Sequence, residues 1–364
     1  MIFMKSNDIV RRFETGLKNA NAIGEGFSKE QQRMLRSGIA STTRIAKAPQ
    51  RMLRSGIATT KNIARTFAKM LKAQDFGGLD DFFFGREALI PGGKEYWFID
   101  VVSTQGDKAQ LVLTFGCSDA KASVNRHEAF GGDVAAVGWF YSSSKKVFLD
   151  KSVALQSSKG LLKTEAFTFF GKYPSYDLVV DGKTRLHFTK PRQGIVYEAH
   201  PCTAKDLGVG LLNMYLDAKG TIDGKPFKGV GYVQKVVVVA PFIPWNWMRV
   251  VFPDKSVLDV FVARLGVQAM EYRVVSTGMY RLASGKTYNL TGSRFKKLEG
   301  DRWLLEGDGF AAYLRTYAFK PFMLKGRGEF HYDEYLVECT DFVYKGKSMQ
   351  GGIGMIEDAY GFMI

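Results

Sequence analysis

Residues 229–256 read GVGYVQKVVVVAPFIPWNWMRVVFPDKS. A glycine-spaced opening runs into the four valines Val236–Val239. A proline-bracketed corner holding Trp245 and Trp247 follows, and a second apolar run ends at the Pro253-Asp254 turn. β-Branched and aromatic residues broken by proline read as two strands joined by a corner. The same pattern extends outward. Upstream, the candidate strands are Tyr96–Ser103, Ala109–Phe115, Ala135–Tyr141, Ala166–Phe170, Tyr176–Val180, Arg185–Phe188, Ile195–Glu198 and Val209–Leu216. Downstream of Gly229–Val239 and Trp247–Phe252 come Val257–Ala263, Tyr272–Ser276, Ala311–Tyr317 and Gly328–Cys339. Asp181-Gly182 and Asp223-Gly224, each between apolar runs, are hairpin cues. Roughly sixteen to twenty short strands without an intervening long helix predict an all-β body from about residue 76, arranged as sandwiches or closed barrels.

A weak internal repeat bears on domain count. GKPFKGVGYVQK (224–235) and GKSMQGGIGMIED (346–358) each follow a tyrosine-led strand. With one residue inserted, Gly224 pairs with Gly346, Gly229 with Gly351, Gly231 with Gly354 and Gln234 with Glu357. Two similar β-domains in tandem, 76–241 and 242–364, are expected.

Composition supports a folded body. The chain of 364 residues is 46% hydrophobic and 13% aromatic, which excludes disorder of the whole and allows a large core. Cys117, Cys202 and Cys339 are scattered and odd in number, which predicts free thiols in a reducing compartment. The longest uncharged apolar run, Val236–Pro244, falls far short of the ~20 residues a spanning helix needs. The N-terminal MIFMKSND lacks the apolar core of a secretory signal. The expected location is cytoplasmic, with attachment to a membrane surface as an option.

That option belongs to residues 1–75, which hold 15 of the 51 Lys and Arg but only 5 of the 36 Asp and Glu. QRMLRSGIASTTRIAKAP (32–49) is followed at once by QRMLRSGIATTKNIARTF (50–67). Eighteen residues are five α-helical turns, so both copies present the same faces. Leu35, Ile39 and Ala46 fall on an apolar arc. Arg33, Arg36, Arg44 and Lys47 fall on a cationic arc that Arg51, Arg54, Lys61 and Arg65 repeat. Pro49, Gly38 and Gly56 limit the length of any single helix. Such an amphipathic arm binds an anionic membrane surface through these eight cations, or packs on the body, or mediates homo-oligomer formation. Nucleic acid is disfavoured as a partner, because the arm has few aromatics for base stacking.

Particular motifs in the body resemble a known family. Glu95-Tyr96-Trp97-Phe98-Ile99-Asp100, then Leu111–Phe115, is similar to the opening strands of the tandem lipocalin-like proteins, a group that includes hydroxyneurosporene synthase (carotenoid 1,2-hydratase) and the fungal decalin-forming Diels–Alderases. Gly229-Val230-Gly231-Tyr232 resembles that family's G-x-G-Y segment. Trp245-Asn246-Trp247, leading to Arg249, resembles its W-x-W-x-R hairpin, and Gly354–Glu357 its closing G-x-x-E strand. The resemblance covers roughly residues 78–364 and implies two lipocalin-like barrels preceded by the basic helical arm. It implies an elongated apolar ligand, such as an isoprenoid, polyene or lipid, held within or between the barrels. It further implies hydration, isomerisation or cyclisation without a cofactor, or else simple carriage or a membrane-associated interaction role. After Gly-Tyr this chain carries Val233, Gln234 and Lys235, where many relatives have acidic and histidine residues. Gln234 therefore offers no proton.

The candidate acids are Glu357, which matches the closing strand, and Glu95, which shares a strand face with Trp97. Candidate ligand-binding residues are Tyr96, Trp97, Tyr232, Gln234, Trp245, Trp247 and Tyr360. Each has a plain structural alternative as a core plug or a satisfied hydrogen-bonding side chain. His127, His187, His200 and His331 lack metal-ligand spacing, so no metal site is expected.

Overall fold

A computed structural model describes residues 93–125, 127–129, 133–149, 154–158, 160–190, 200–204, 209–239, 242–265 and 272–363. The basic arm, with Arg33, Arg36, Arg44, Lys47, Arg51, Arg54, Lys61 and Arg65, lies outside the described residues. The described residues form strands and turns only. The first strands are β1 (Gly93–Ser103), β2 (Gln110–Ser118), β3 (Ala122–Val124), β4 (His127–Ala129), β5 (Ala135–Ser142), β6 (Lys145–Leu149), β7 (Ala154–Ser158) and β8 (Leu161–Thr164). Then come β9 (Phe167–Lys172), β10 (Ser175–Val180), β11 (Thr184–Thr189), β12 (His200–Ala204), β13 (Val209–Ile222) and β14 (Lys225–Val239). The second half holds β15 (Trp245–Val251), β16 (Val257–Leu265), β17 (Tyr272–Arg281), β18 (Thr287–Asn289) and β19 (Arg294–Leu298). It closes with β20 (Arg302–Gly307), β21 (Phe310–Gly326), β22 (Gly328–Tyr344), β23 (Lys347–Met349) and β24 (Gly352–Met363).

Two antiparallel sheets result. The first has the order β6-β5-β2-β1-β14-β13-β11-β10-β9-β8-β7, and the second β18-β17-β16-β15-β24-β22-β21-β20-β19. Both curl on themselves. Trp97 in β1 lies 5.9 Å from Phe169 in β9 and 6.3 Å from Tyr176 in β10, although four and three strands, respectively, separate them in the sheet. In the second sheet Tyr280 of β17 reaches Phe342 of β22 at 5.0 Å, and the Asp308 N–H donates to the Thr291 carbonyl at 2.9 Å. The described part of the chain is thus all-β, built of two curled, lipocalin-like barrel sheets. The β3–β4 hairpin leaves the first half and joins the second sheet through Val124 opposite Leu324, tying the two together.

The internal repeat has a geometric counterpart. Asp223-Gly224 joins β13 to β14 with φ of 50° and 77°, and Lys345-Gly346 joins β22 to β23 with 48° and 78°. Positive φ at both central residues is the two-residue turn that matches strand twist, and Gly adopts it without strain. Counting from each turn, Gln234 falls opposite Asn213 and Glu357 opposite Glu334. On the other flank Gln234 pairs with Phe98 and Glu357 with Trp247. The two sheets therefore repeat one arrangement.

Strand alternation builds three apolar layers. Odd-numbered β1 residues, with Leu111, Phe115, Phe169 and Phe188, fill the first barrel. Met248, Val250, Leu258, Leu305 and Ile356 belong to the core of the second. Between the sheets, Phe98, Val112, Trp139, Tyr215, Tyr232, Trp247, Leu336 and Met355 pack face to face. Several strands lie where the sequence pattern predicts none, among them β6 to β8, β12 and β18 to β20, and the candidate strand Ile195–Glu198 lies outside the described residues. β19 reads RFKKL and is largely exposed, so no apolar alternation marks it.

Candidate active site

The sheet-to-sheet layer is apolar except for a few ionisable groups that are almost wholly buried. On β24, Glu357 is 2% exposed, and its cross-strand neighbour on β22, Glu334, is 1% exposed. Opposed residues of an antiparallel pair place their Cβ atoms about 5 Å apart, so two ionised carboxylates there repel strongly. The donors around them come from both sheets. Trp245 Nε1–H donates to Glu357 Oε2 at 2.8 Å, and the Tyr332 hydroxyl donates to Glu357 Oε1 at 2.5 Å. From the first sheet, Trp139 Nε1–H donates to Glu334 Oε2 at 2.6 Å. The Tyr332 hydroxyl is also in hydrogen-bond contact with Glu334 and Thr114.

Electrostatics separate the pair. Burial pushes the Glu357 carboxyl up to about 8, against the Tyr332 and Trp245 hydrogen bonds that favour its anion. Burial, and then the Glu357 charge, hold Glu334 well above the ordinary carboxylate range. Both carboxyls therefore hold their protons to higher pH than an ordinary carboxylate, and ionisation of Glu357 further disfavours that of Glu334. The Tyr332 hydroxyl between them is kept protonated, chiefly by burial.

A cationic cluster adjoins the pair. Arg249 on β15 is 1% exposed and donates to the Tyr215 hydroxyl and the Asp259 carboxylate. Its guanidinium carbon lies 3.3 Å from the centre of the Tyr232 ring. Burial alone would lower its pKa. Asp259 and the two tyrosines outweigh that and keep it charged. Trp247 Nε1–H donates to the other Asp259 oxygen at 2.9 Å. Partly buried aromatics, Trp245, Phe261, Tyr332, Tyr141 and Tyr317, edge the layer.

The structure brings several of the sequence-predicted residues together here. Glu357, Trp245, Trp247, Tyr232 and Gln234 face the layer, and alternation turns Tyr96 the same way, where the Glu357 charge reinforces the effect of burial on its hydroxyl. Gln234 donates to the Tyr232 hydroxyl at 2.8 Å and to Asn213 Oδ1 at 3.0 Å, so it is the amide counterpart of Glu357 in the first sheet. Glu95 and Trp97 stand apart. They point into the first barrel, where Lys235 Nζ lies 2.9 Å from Glu95 Oε1 and 5.3 Å from the Trp97 ring centre. Pairing with a cation, inside a barrel rather than at the sheet junction, separates Glu95 from Glu357. Tyr360 is 42% exposed and stacks on His331 at 4.8 Å, away from the carboxyl pair. Among the described residues no cluster of His, Cys, Asp or Glu has the form of a metal site.

Glu334, Tyr332, Trp139, Asp100 and Asp259 carry chemistry that the sequence patterns did not single out. One signal was present. The two-residue turn at Lys345-Gly346 sets the hairpin register, and counting back from Glu357 through it arrives at Glu334.

No family model matches this chain, and no curated protein matches it. Among solved structures, the chain is similar to one described as AttH from Nitrosomonas europaea, at 12% identity and a TM-score of 0.46, covering 73% of this chain and 92% of that one. It is also similar to kievitone hydratase from Nectria haematococca, at 12% identity and a TM-score of 0.36, covering 77% of this chain and 94% of that one.

Proposed function

We propose that the junction between the two sheets is an acid–base site acting on a double bond of an elongated apolar molecule, of the isoprenoid, polyene or lipid class. One observation carries this: two buried carboxyls, Glu334 and Glu357, in direct cross-strand register and joined through the Tyr332 hydroxyl. Two buried carboxyls that hold protons to unusually high pH, of which one can give a proton while the other, once ionised, takes one, are what alkene chemistry needs.

In a hydration, the Glu334 O–H adds its proton to one alkene carbon and leaves a carbocation at the other. Water oxygen attacks that carbon while Glu357, in its ionised form, takes a water proton. The reactants balance as alkene plus water to alcohol. Return of the proton from Glu357 to Glu334 through the Tyr332 hydroxyl resets the pair. Removal of a neighbouring C–H proton by Glu357 instead gives an isomer. The rings of Trp245, Phe261 and Tyr332 supply apolar contact for the chain and negative faces toward a developing cation.

Incubation with isoprenoid and polyene substrates, followed by mass spectrometry, tests the proposal. Products carrying one added water, or shifted double bonds, are expected from the native chain. Glu334→Gln and Glu357→Gln should each lose about 10²- to 10⁴-fold in rate, the range for a general acid or base. Stoichiometric binding with the ligand recovered unchanged would overturn the reaction and leave a carrier.

A further inference from the structure

One strand step from the carboxyl pair, two buried polar atoms of opposite kind lack hydrogen-bond partners among the described residues. Asp100 is 1% exposed. Its Oδ1 accepts from Gln110 Nε2 at 2.9 Å, while its Oδ2 is buried and unmatched. Arg249 spends its two terminal nitrogens on Tyr215 and Asp259, while its Nε–H is buried and unmatched. The two side chains are electrostatically coupled. Their placement follows from register. Phe98 and Trp247 touch across the junction with ring centres 4.9 Å apart, and Asp100 and Arg249 each lie two residues further along the same faces. Trp247 is the cross-strand neighbour of Glu357, so the Asp100–Arg249 position is about 7 Å along the strands from the carboxyl pair.

Leaving a buried donor and a buried acceptor unmatched is costly, because neither recovers the hydrogen bonds it made to water. A hydroxyl oxygen answers both at once, accepting from Arg249 Nε–H and donating to Asp100 Oδ2. Phe98, Val112, Tyr232 and Met355 wall the place with apolar surface. We propose that Asp100 and Arg249 form a hydroxyl-binding subsite, so that the ligand of the carboxyl pair is an alcohol with an apolar chain and not a plain hydrocarbon. Burial raises the Asp100 carboxyl to about 6, against the pull of Gln110 and Arg249, so at neutral pH it is largely an acceptor. The inference rests on the apolar-ligand reading of this junction and narrows its substrate class.

Displacement of a fluorescent apolar probe from the full chain, by geraniol, farnesol and geranylgeraniol and by their methyl ethers, tests it. The ether keeps the oxygen and the chain and loses only the O–H donor. At least one alcohol is expected to bind about tenfold more tightly than its ether, the effect of one buried hydrogen bond. In Asp100→Asn, which keeps the shape and removes the charge, that preference should fall to less than about threefold with ether affinity unchanged. Equal binding of every alcohol and ether by the native chain would overturn the hydroxyl subsite and leave the apolar site standing, as expected if Asp100 and Arg249 hold a water. Failure of both series to displace the probe would overturn both.

Discussion

Replacement of Glu357 by Gln probes the buried pair directly. The change keeps side-chain size and removes the ionisable group. In the native chain burial raises this carboxyl from 4.5 to about 8, so the folded state holds a proton that the unfolded chain has already released. The stability tied to that proton is fully present below about pH 4.5 and is lost as pH rises to about 8. A shift from 4.5 to about 8 corresponds to at most about 5 kcal/mol, with a slope of up to about 1.4 kcal/mol per pH unit. Gln has no such slope. It has only one carbonyl oxygen for two donors, Tyr332 and Trp245, and the donor left over costs about 1–3 kcal/mol. At or below pH 5 the variant should therefore be the weaker protein by about 1–2 kcal/mol. At pH 9 it should be the stronger by about 2–4 kcal/mol, with the curves crossing between about pH 5 and 7. Urea unfolding from pH 5 to 9, with the denaturant slope checked for constancy, measures this. Parallel stability curves that never cross would show that Glu357 ionises freely in the folded state, and would remove the basis for an acid–base pair.

Three further outcomes follow from the geometry. Trp139→Phe keeps most of the ring and deletes the indole donor to Glu334, so it should cost about 1–3 kcal/mol in urea titrations, and leave Glu334 harder still to ionise. Gly354→Ala would place a Cβ 1.8 Å from the Arg249 carbonyl oxygen, and should lower stability by at least about 1–3 kcal/mol, read as a fall in melting temperature. Lys235→Met removes the cation paired with the fully buried Glu95 and should cost about 3–5 kcal/mol, whereas the double change with Glu95→Gln should recover most of it. A double variant no better than the single one would show that the Lys235–Glu95 pair does not act as a unit.

The sequence made much of the β architecture legible, because the signals involved are local. Asp223-Gly224 marks a hairpin turn, and the glycine-spaced runs after it and after Gly346 match two strands that occupy equivalent places in their sheets. Glu357 stood out through the strand it closes. Glu334 did not, since EFHYDEYLVE around it scatters acidic residues over both faces of a long strand.

Amino-acid pattern alone thus determined many of the strands, several of their turns and which β1 residues share a face, all consequences of backbone preference and period-two alternation. Only the tertiary structure decided which carboxyls keep company. Glu95 turned inward to Lys235, while Glu357 met Glu334, the indoles of Trp139 and Trp245, and the neighbouring Arg249 cluster. The physical reason is that a carboxyl's proton affinity depends on burial and on neighbours more than a hundred residues away in the chain. That environment exists only once the two curled sheets have closed on each other.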